Sequence, residues 1–420
     1  MNKVLLKSVF ILSPNSKYHE QVVDVLVVDG QILKIGQAIK TDEHTQVIDG
    51  RGKFLSPGFF DLNVNFGEPG LETKEDLMTG CMTAAAGGFT GLALMPNTQP
   101  PIHTKSEVAY ICSKTKNNVV DVHPMGCISH YREGKELAEL FDMHQTGAIA
   151  FTDATKSVSD AGLMSRALLY AKGFNGLIFS FAEDTNIAGK GKMNEGVMST
   201  FLGMKGNPAL AEELMVSRDL YLAEYNEARI HFSTISTRKS VDLIRQAKKK
   251  GLQVTCDVAV HHLVFSEDDL LEFDSHYKVK PPLRTKEDQH ELFAGLLDGT
   301  IDALVSQHTP HEIEFKKVEF ETASYGSIGL QTALSMALRA GLSPEQVVEK
   351  MAISPRKIVG LACAKIEVGE TANLTLFDTE EVWFFDANTN RSKSANSPLI
   401  GQGIKGKVNW VCNNNQHLEF

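Results

Sequence analysis

The chain has 420 residues, enough at about 150 per domain for two or three domains, or for one barrel that runs longer as a unit. A formal net charge of −10 argues against a nucleic-acid or anionic-membrane surface, since both need concentrated positive charge. No run of about 18 apolar residues offers a membrane span, and Met1 to Phe10 lacks the charged-then-apolar order of a signal peptide, so a cytoplasmic location is expected.

Residues 1 to about 56 read as short strands: Val4 to Leu12, Val22 to Val28, Gln31 to Ile35 and Gln46 to Asp49, punctuated by Pro14-Asn-Ser and Asp29-Gly. Between about 57 and 362, strand-like apolar runs alternate with helical patterns, the signature of parallel βα units. The strand candidates are Phe60 to Phe66, Gly91 to Asn97, Asp121 to Ile128, Ala148 to Asp153, Leu177 to Phe181, Arg229 to Thr234, Val254 to Val258 and Asp302 to Gln307. Eight such units fit a TIM-type (β/α)8 barrel, whose functional groups sit at the C-terminal ends of the strands. Helices are expected at Leu77 to Ala86 and at Lys239 to Lys250, the latter ending in a solvated lysine run with Gly251 as its cap. Further strands follow at Ala372 to Asp378, Glu381 to Phe384 and Val408 to Cys412. Cys81, Cys112, Cys127, Cys256, Cys363 and Cys412 are scattered without CxxC pairing, which reads as free thiols rather than a disulfide framework or a structural zinc.

One stretch organises the rest. Within Pro57 to Gly70, apolar and polar residues alternate from Phe60 to Phe66, so that a period of two places Phe60, Leu62, Val64 and Phe66 on one face and Asp61, Asn63 and Asn65 on the other. Flanked by Pro-Gly and Gly-Glu-Pro-Gly, it reads as a first barrel strand whose polar end points at a site.

This stretch resembles the signature of the amidohydrolase superfamily, and of the dihydroorotases in particular: Pro-Gly-Phe-(Ile/Leu)-Asp-x-His-x-His-x-Arg-Glu-Pro-Gly. There the two histidines bind zinc and the arginine holds the substrate carboxylate. The frame is kept in Pro57, Gly58, Asp61, Glu68, Pro69 and Gly70, whereas Asn63 and Asn65 stand at the histidine positions and Gly67 at the arginine. The resemblance runs through the whole chain. Asn97 in Met95-Pro-Asn-Thr-Gln-Pro matches an asparagine that contacts dihydroorotate in active relatives. Phe151-Thr-Asp-Ala-Thr resembles Phe-Ser-Asp-Asp-Gly, so Asp153 retains an acid of the metal site while Ala154 replaces the next one. Phe181 and Thr234 stand at two further ligand histidines, in motifs resembling Ala-His-Cys-Glu-Asp and His-(Val/Ile)-Cys-His-Val-Ser-Thr. Lys280 replaces an asparagine associated with substrate, and Gln307 replaces the aspartate that binds metal and moves the proton. His308 and His311 persist. The resemblance also implies that the terminal β segments, 1–56 and 363–420, pair into one discontinuous β-sandwich domain beside the barrel, 57–362.

Zinc takes imidazole, thiolate or carboxylate, and carboxamide oxygens are weak by comparison. A hydrolytic water needs a metal to bring its pKa from about 16 toward 7. Gln307 has no titrating group for a general acid or base role, which is worth about 10²–10⁴-fold in rate. No metal or other cofactor and no catalytic residue are therefore expected, although zinc serves the active relatives. Asn97, His311, Gly67 and Lys280 mark a vestigial substrate cradle. Asp153 reads as a lone hydrogen-bonded acid, His261 and His262 as packing residues, and Phe181 as a ring filling an emptied metal pocket.

The favoured reading is a dihydroorotase-like pseudoenzyme of pyrimidine biosynthesis. It would be kept as a scaffold in a homo-oligomer or hetero-complex, with aspartate carbamoyltransferase as the partner that the resemblance suggests. The alternative is an active dihydroorotase or related cyclic amidohydrolase with a rebuilt site using Asp153 and His308. A third reading is a module that still binds an anionic ligand without turning it over.

Overall fold

The computed structural model describes residues 3–420. Both ends of the chain contribute to one eight-stranded sheet. Its path runs Gln416–Glu419, Gln402–Asn413, Leu374–Phe385, Phe54–Pro57, Lys3–Ile11, Val22–Val28, Gln31–Gly36, with Gln46–Asp49 also on Lys3–Ile11. The two termini meet where Phe54–Pro57 runs antiparallel to Leu374–Phe377. A bulge between Leu6 and Val9, with Ser8 at φ 58°, splits the first strand. Its first half pairs with Gln46–Asp49 and its second with Phe54 and Leu55, so the sheet closes over its own core of Leu6, Ile11, Leu55, Leu374 and Trp410. The separate strands expected at 372–378 and 381–384 are one strand, Leu374–Phe385, bulged between Asp378 and Val382.

Seven parallel strands and one isolated bridge residue build the barrel. Phe59–Val64, Phe89–Leu94 and Asp121–Pro124 pair in that order, and Ile178–Ser180, Ile230–Phe232, Val254–Ala259 and Ala303–Val305 form the other arc. Where a strand was expected over 148–153, only Phe151 bridges the arcs, to Gly126 on one side and Ile178 on the other. A bridge from Val64 to His308 closes the ring. Asp76 caps the helix Leu77–Ala86 by accepting from the Met78 and Thr79 amides. Thr237 caps Arg238–Lys249, which ends ahead of Gly251 at φ +86°. Among the described residues no helix is long and apolar enough to cross a membrane.

The first strand departs from strict alternation. Phe60 and Leu62 pack inward with Ala93, Met125 and Phe179, whereas Val64 and Phe66 pack outward against the helical layer with Leu77 and Leu94. The register against Phe89–Leu94 shifts between Asp61 and Val64. Such a bulge moves every later side chain to the opposite face. Asn63 is thereby delivered to the barrel mouth by an irregularity rather than by the pleat.

Candidate functional site at the barrel mouth

Asp61 anchors the irregular strand end. Its carboxylate accepts from the Asn63 amide and from the Ser306 amide, both at 2.8 Å, and full burial pushes its pKa up to about 7. Beyond it, the Asn63 carboxamide donates to Thr234 Oγ1 at 3.0 Å and to Ser233 Oγ at 3.3 Å. The Asn65 carboxamide donates to the His308 carbonyl and to Thr309 Oγ1, each at 3.0 Å. Gln307 Nε2 donates to the Lys280 carbonyl at 2.9 Å and lies 3.4 Å from Thr234 Oγ1. Asn63, Thr234 and Gln307 thus form one neutral hydrogen-bonded chain across the mouth.

Thr234 and Gln307 both hold left-handed backbone, at φ 56° and 50°. A β-branched residue there is strained and persists only where its surroundings fix it. At Thr234 the clamp is visible. Its amide donates to Asp257 Oδ1 at 2.7 Å, and Asp257 Oδ2 holds His231 Nε2 at 2.9 Å. His231 Nδ1 meets Thr255 Oγ1 at 2.8 Å, and its ring packs on Phe179 at 4.1 Å. Asp257 was not singled out from sequence. A carboxylate inside an apolar strand is costly unless it is partnered, and that was the available signal.

Phe181 is buried but belongs to none of the apolar clusters among the described residues. Instead its ring carries the Lys280 ammonium at 5.6 Å from the centroid. Lys280 Nζ reaches Glu183 Oε1 at 2.8 Å, and the other Glu183 oxygen accepts from Asn207 at 3.1 Å. Phe181, Lys280 and Glu183 therefore make a cation-bridged unit at the rim. The ring expected to fill an emptied metal pocket is buried there and also faces a cation.

Asp153 stands apart from that chain. One oxygen accepts from the Ile128 and Ser129 amides at 2.9 and 3.1 Å, and the other accepts from Ser129 Oγ at 2.5 Å. Burial raises its pKa, and the hydrogen bonds from Ser129 act against that rise. Both oxygens are already occupied.

The expected substrate cradle is dispersed in character. At Gly67 a Cβ would lie 1.8 Å from the Leu71 carbonyl oxygen and 3.0 Å from that of Glu75, so the position has no room for any side chain. Asn97 Oδ1 and His311 Nδ1 are buried without a hydrogen-bond partner. His311 Nε2 is spent on the Tyr325 carbonyl at 2.9 Å, and burial holds its pKa down at about 4. Asn396, from the loop after the strand Leu374–Phe385, accepts from the His311 amide at 3.1 Å and donates to the Thr309 carbonyl at 2.9 Å. Sequence reading gave no hint that this distant segment reaches the mouth.

His308 faces the wrong way to serve chemistry there. Its fully buried ring packs edge-on against Phe66, its Nδ1 accepts from the Gly329 amide at 3.2 Å, and its Nε2 lies 3.7 Å from Glu75 Oε2. His308 and Asp153 thus hold separate sets of partners. His261 and His262 are buried neighbours with rings 4.6 Å apart. His262 Nε2 meets the Pro281 carbonyl at 3.1 Å.

Zinc does not fit this donor set. Among the described residues no three His, Cys, Asp or Glu side chains converge as a metal-ligand group. The positions that carry ligands in the dihydroorotase signature present two carboxamides, a hydrogen-bonded carboxylate, a phenyl ring, a hydroxyl and a third carboxamide, of which zinc favours only the carboxylate. Gln307 cannot exchange a proton with a substrate.

A family model described as Dihydro-orotase-like matches residues 52–240. A dihydroorotase of Citrifermentans bemidjiense is 41% identical over 410 residues, covering 96% of this chain and 96% of that protein. A dihydroorotase of Acetivibrio thermocellus is 40% identical over 417 residues, covering 98% and 97%. Among solved structures, the L-hydantoinase (dihydropyrimidinase) of Arthrobacter aurescens matches with a TM-score of 0.86 at 26% identity, covering 100% of this chain and 96% of that one. A D-hydantoinase shares the fold with a TM-score of 0.82 at 22% identity, over 99% and 95%. Identity of this order sustained over nearly the full length places the chain in the dihydroorotase-like family.

Proposed function

We infer that this chain is a non-catalytic dihydroorotase-like protein of pyrimidine biosynthesis, working in the cytoplasm as a scaffold subunit, with aspartate carbamoyltransferase as the partner. The observation that carries the loss of catalysis is the neutral Asn63–Thr234–Gln307 chain, which spends on internal hydrogen bonds the positions that hold metal in the family signature. Ring opening of a cyclic amide needs an activated water and a group to carry the proton. The mouth offers amides and a hydroxyl for the first task and Gln307 for the second. Both tasks fail for the same chemical reason.

The similarity to proteins named dihydroorotase favours a second reading, in which hydrolysis persists through a different set of groups. Dihydroorotate and carbamoyl aspartate turnover, with and without added zinc, separates the two. No ring opening or closure in either direction is expected, and turnover that scales with added zinc would overturn the non-catalytic reading. Co-expression with the transferase from the same genome tests the scaffold role. Stable co-purification supports it, whereas a transferase that is stable and active with this chain always eluting apart removes it. Calorimetry with dihydroorotate tests whether Asn97 and His311 still hold a ligand.

A further inference from the structure

Beside the mouth lies a second cavity of about 170 Å³, room enough for several waters or one small ligand. The loop 188–192, Glu183, Asn207, Lys280 and Tyr325 are in its walls. Asn63, Asn97, Thr234, Gln307 and His311 are not. Lys280 stands between the two sites: its carbonyl accepts from Gln307 of the mouth, while its ammonium turns to Glu183 in the cavity wall. The walls are tied together. Met193 and Asn194 pair with Gly206 and Asn207, and the Lys192 amide donates to the Lys205 carbonyl at 2.8 Å. At Gly191 a Cβ would lie 2.4 Å from the Gly206 carbonyl oxygen, so the loop presses directly on that backbone. The Tyr325 hydroxyl donates to the Gly191 carbonyl at 3.1 Å. Walls already held in place need little ordering when a ligand binds.

The charge of this cavity runs against that of the chain, whose formal net charge is −10. Lys190, Lys192 and Lys280 line it with one carboxylate, Glu183, which leaves two positive charges in excess. Glu183 is already spent on Lys280 at 2.8 Å and on Asn207 at 3.1 Å. Among the described residues neither Lys190 nor Lys192 has a carboxylate partner. Lys192 Nζ instead lies 5.7 Å from the centre of the Tyr325 ring, and Lys278 Nζ lies 4.8 Å from the same ring. Burial, with the Lys192 charge added to it, holds the Lys278 ammonium down to about 8. Just outside, Lys205 Nζ comes within 3.6 Å of where a Cβ on Gly189 would stand. Like charges gathered in a concave site focus a positive field, and a bound anion relieves their repulsion.

Asn207 indicates what else the occupant carries. It is 6% exposed. Its Nδ2 is fixed on Glu183, and its Oδ1 is buried without a hydrogen-bond partner. A buried acceptor left open calls for a donor. Two uncompensated positive charges and one open acceptor together describe a dianion that bears a hydroxyl.

We propose that the cavity bordered by Lys190, Lys192, Asn207, Lys280 and Tyr325 is a binding site for a small hydroxyl-bearing dianion, a phosphate or a dicarboxylate. The site does not depend on whether the barrel mouth is catalytic, so its failure would leave the zinc and turnover results untouched. Isothermal calorimetry of the full chain tests it, at slightly alkaline pH, with hydrogen phosphate and malate as probes and chloride at matched ionic strength as the control. Saturable binding of at least one probe, on the order of 1 mM or tighter, is expected, and the probe that binds tells a phosphoryl from a carboxylate occupant. Lys190→Gln and Lys192→Gln are each expected to weaken that binding by about 10-fold or more, as loss of a charged contact does. Without ligand, Lys192→Gln is expected to melt no lower than the parent, because it removes a like charge from beside Lys278. A lysine kept for stability would behave in the opposite way. Heats that chloride reproduces, no saturation by either probe, or binding that survives in the Lys190→Gln, Lys192→Gln double variant would each overturn the proposal.

Discussion

The Asn63 carboxamide and the Thr234 hydroxyl meet at 3.0 Å across the mouth of the barrel. Their positions lie on opposite arcs, 171 residues apart in sequence, and both hold histidines in the family signature. Where two imidazoles would be drawn together by a shared cation, these two side chains satisfy one another directly. At this point a hydrogen bond joins the two arcs of the barrel.

That contact predicts a measurable coupling. Asn63→Ala and Thr234→Val each leave the other's buried polar group short of a partner, at about 1–3 kcal/mol. The double variant should recover about 1 kcal/mol of the summed loss, because the partners lie in direct contact. Urea denaturation of the four proteins measures it. Strictly additive losses would mean that the two side chains act independently.

Gly67 predicts an obstacle to any attempt to rebuild the family's site. A Cβ there would meet the Leu71 carbonyl at 1.8 Å, so both Gly67→Ala and Gly67→Arg should destabilise the fold by about 2 kcal/mol or more, as overpacking against backbone does. Denaturation midpoints check this. An unaltered midpoint for Gly67→Arg would show that residues 67–75 can rearrange to admit the arginine.

Replacing Lys280 with the asparagine of relatives should cost stability without restoring chemistry. Lys280 Nζ holds Glu183 at 2.8 Å, and Glu183 is 8% exposed on its side chain against 26% for the lysine. Removing the cation leaves a nearly buried carboxylate short of its partner, which costs 3–5 kcal/mol in a fully buried pair and about half that here because the lysine is partly solvated. Lys280→Asn is expected to lower the melting temperature, and Lys280→Asn with Glu183→Gln to recover part of the loss.

The buried histidines set the sign of one pH effect. Burial holds His262 and His311 neutral down to about pH 4, and burial, reinforced by the neighbouring His262 ring, holds His261 well below its ordinary value. An unfolded histidine titrates near 6.5. Between about pH 4 and 6.5 the unfolded chain therefore binds more protons at these groups, so their contribution is fully present above 6.5 and is lost as pH falls toward 4. Asp61 acts oppositely: protonated in the fold up to about pH 7, it loses stability as pH rises from its unfolded value to that point. His262→Gln isolates one histidine and should reduce the rise of unfolding free energy with pH by up to about 1.4 kcal/mol per pH unit. An identical slope in the variant would contradict a neutral, buried His262.

How much of this was legible beforehand differs from residue to residue. The barrel and the helix Leu77–Ala86 followed from apolar periodicity, which is local. The replacements at positions 63, 65, 181, 234 and 307 were legible through the family resemblance, which names the residue type expected at each. The direction of His308 was not: a ring that packs on Phe66 and Glu75 has the same one-letter code as a ring that faces the mouth. Nor was the bulge after Asp61, since Phe60 to Phe66 satisfies strict alternation and only pairing with Phe89–Leu94 breaks it. Gly67 showed that an arginine was missing, while the Leu71 carbonyl in its place is a tertiary fact. Asn396 reaches His311 from 85 residues away, and no local pattern encodes a contact of that range.

Zinc content tests the central claim most directly. The protein is expressed with zinc in the medium, passed through gel filtration without chelator, and assayed by plasma emission spectrometry beside a dihydroorotase that carries the His-x-His signature. Only trace, substoichiometric zinc is predicted here against full loading in the control. Zinc that co-elutes in stoichiometric amount, and is lost on Asn63→Ala or Thr234→Val, would contradict the account.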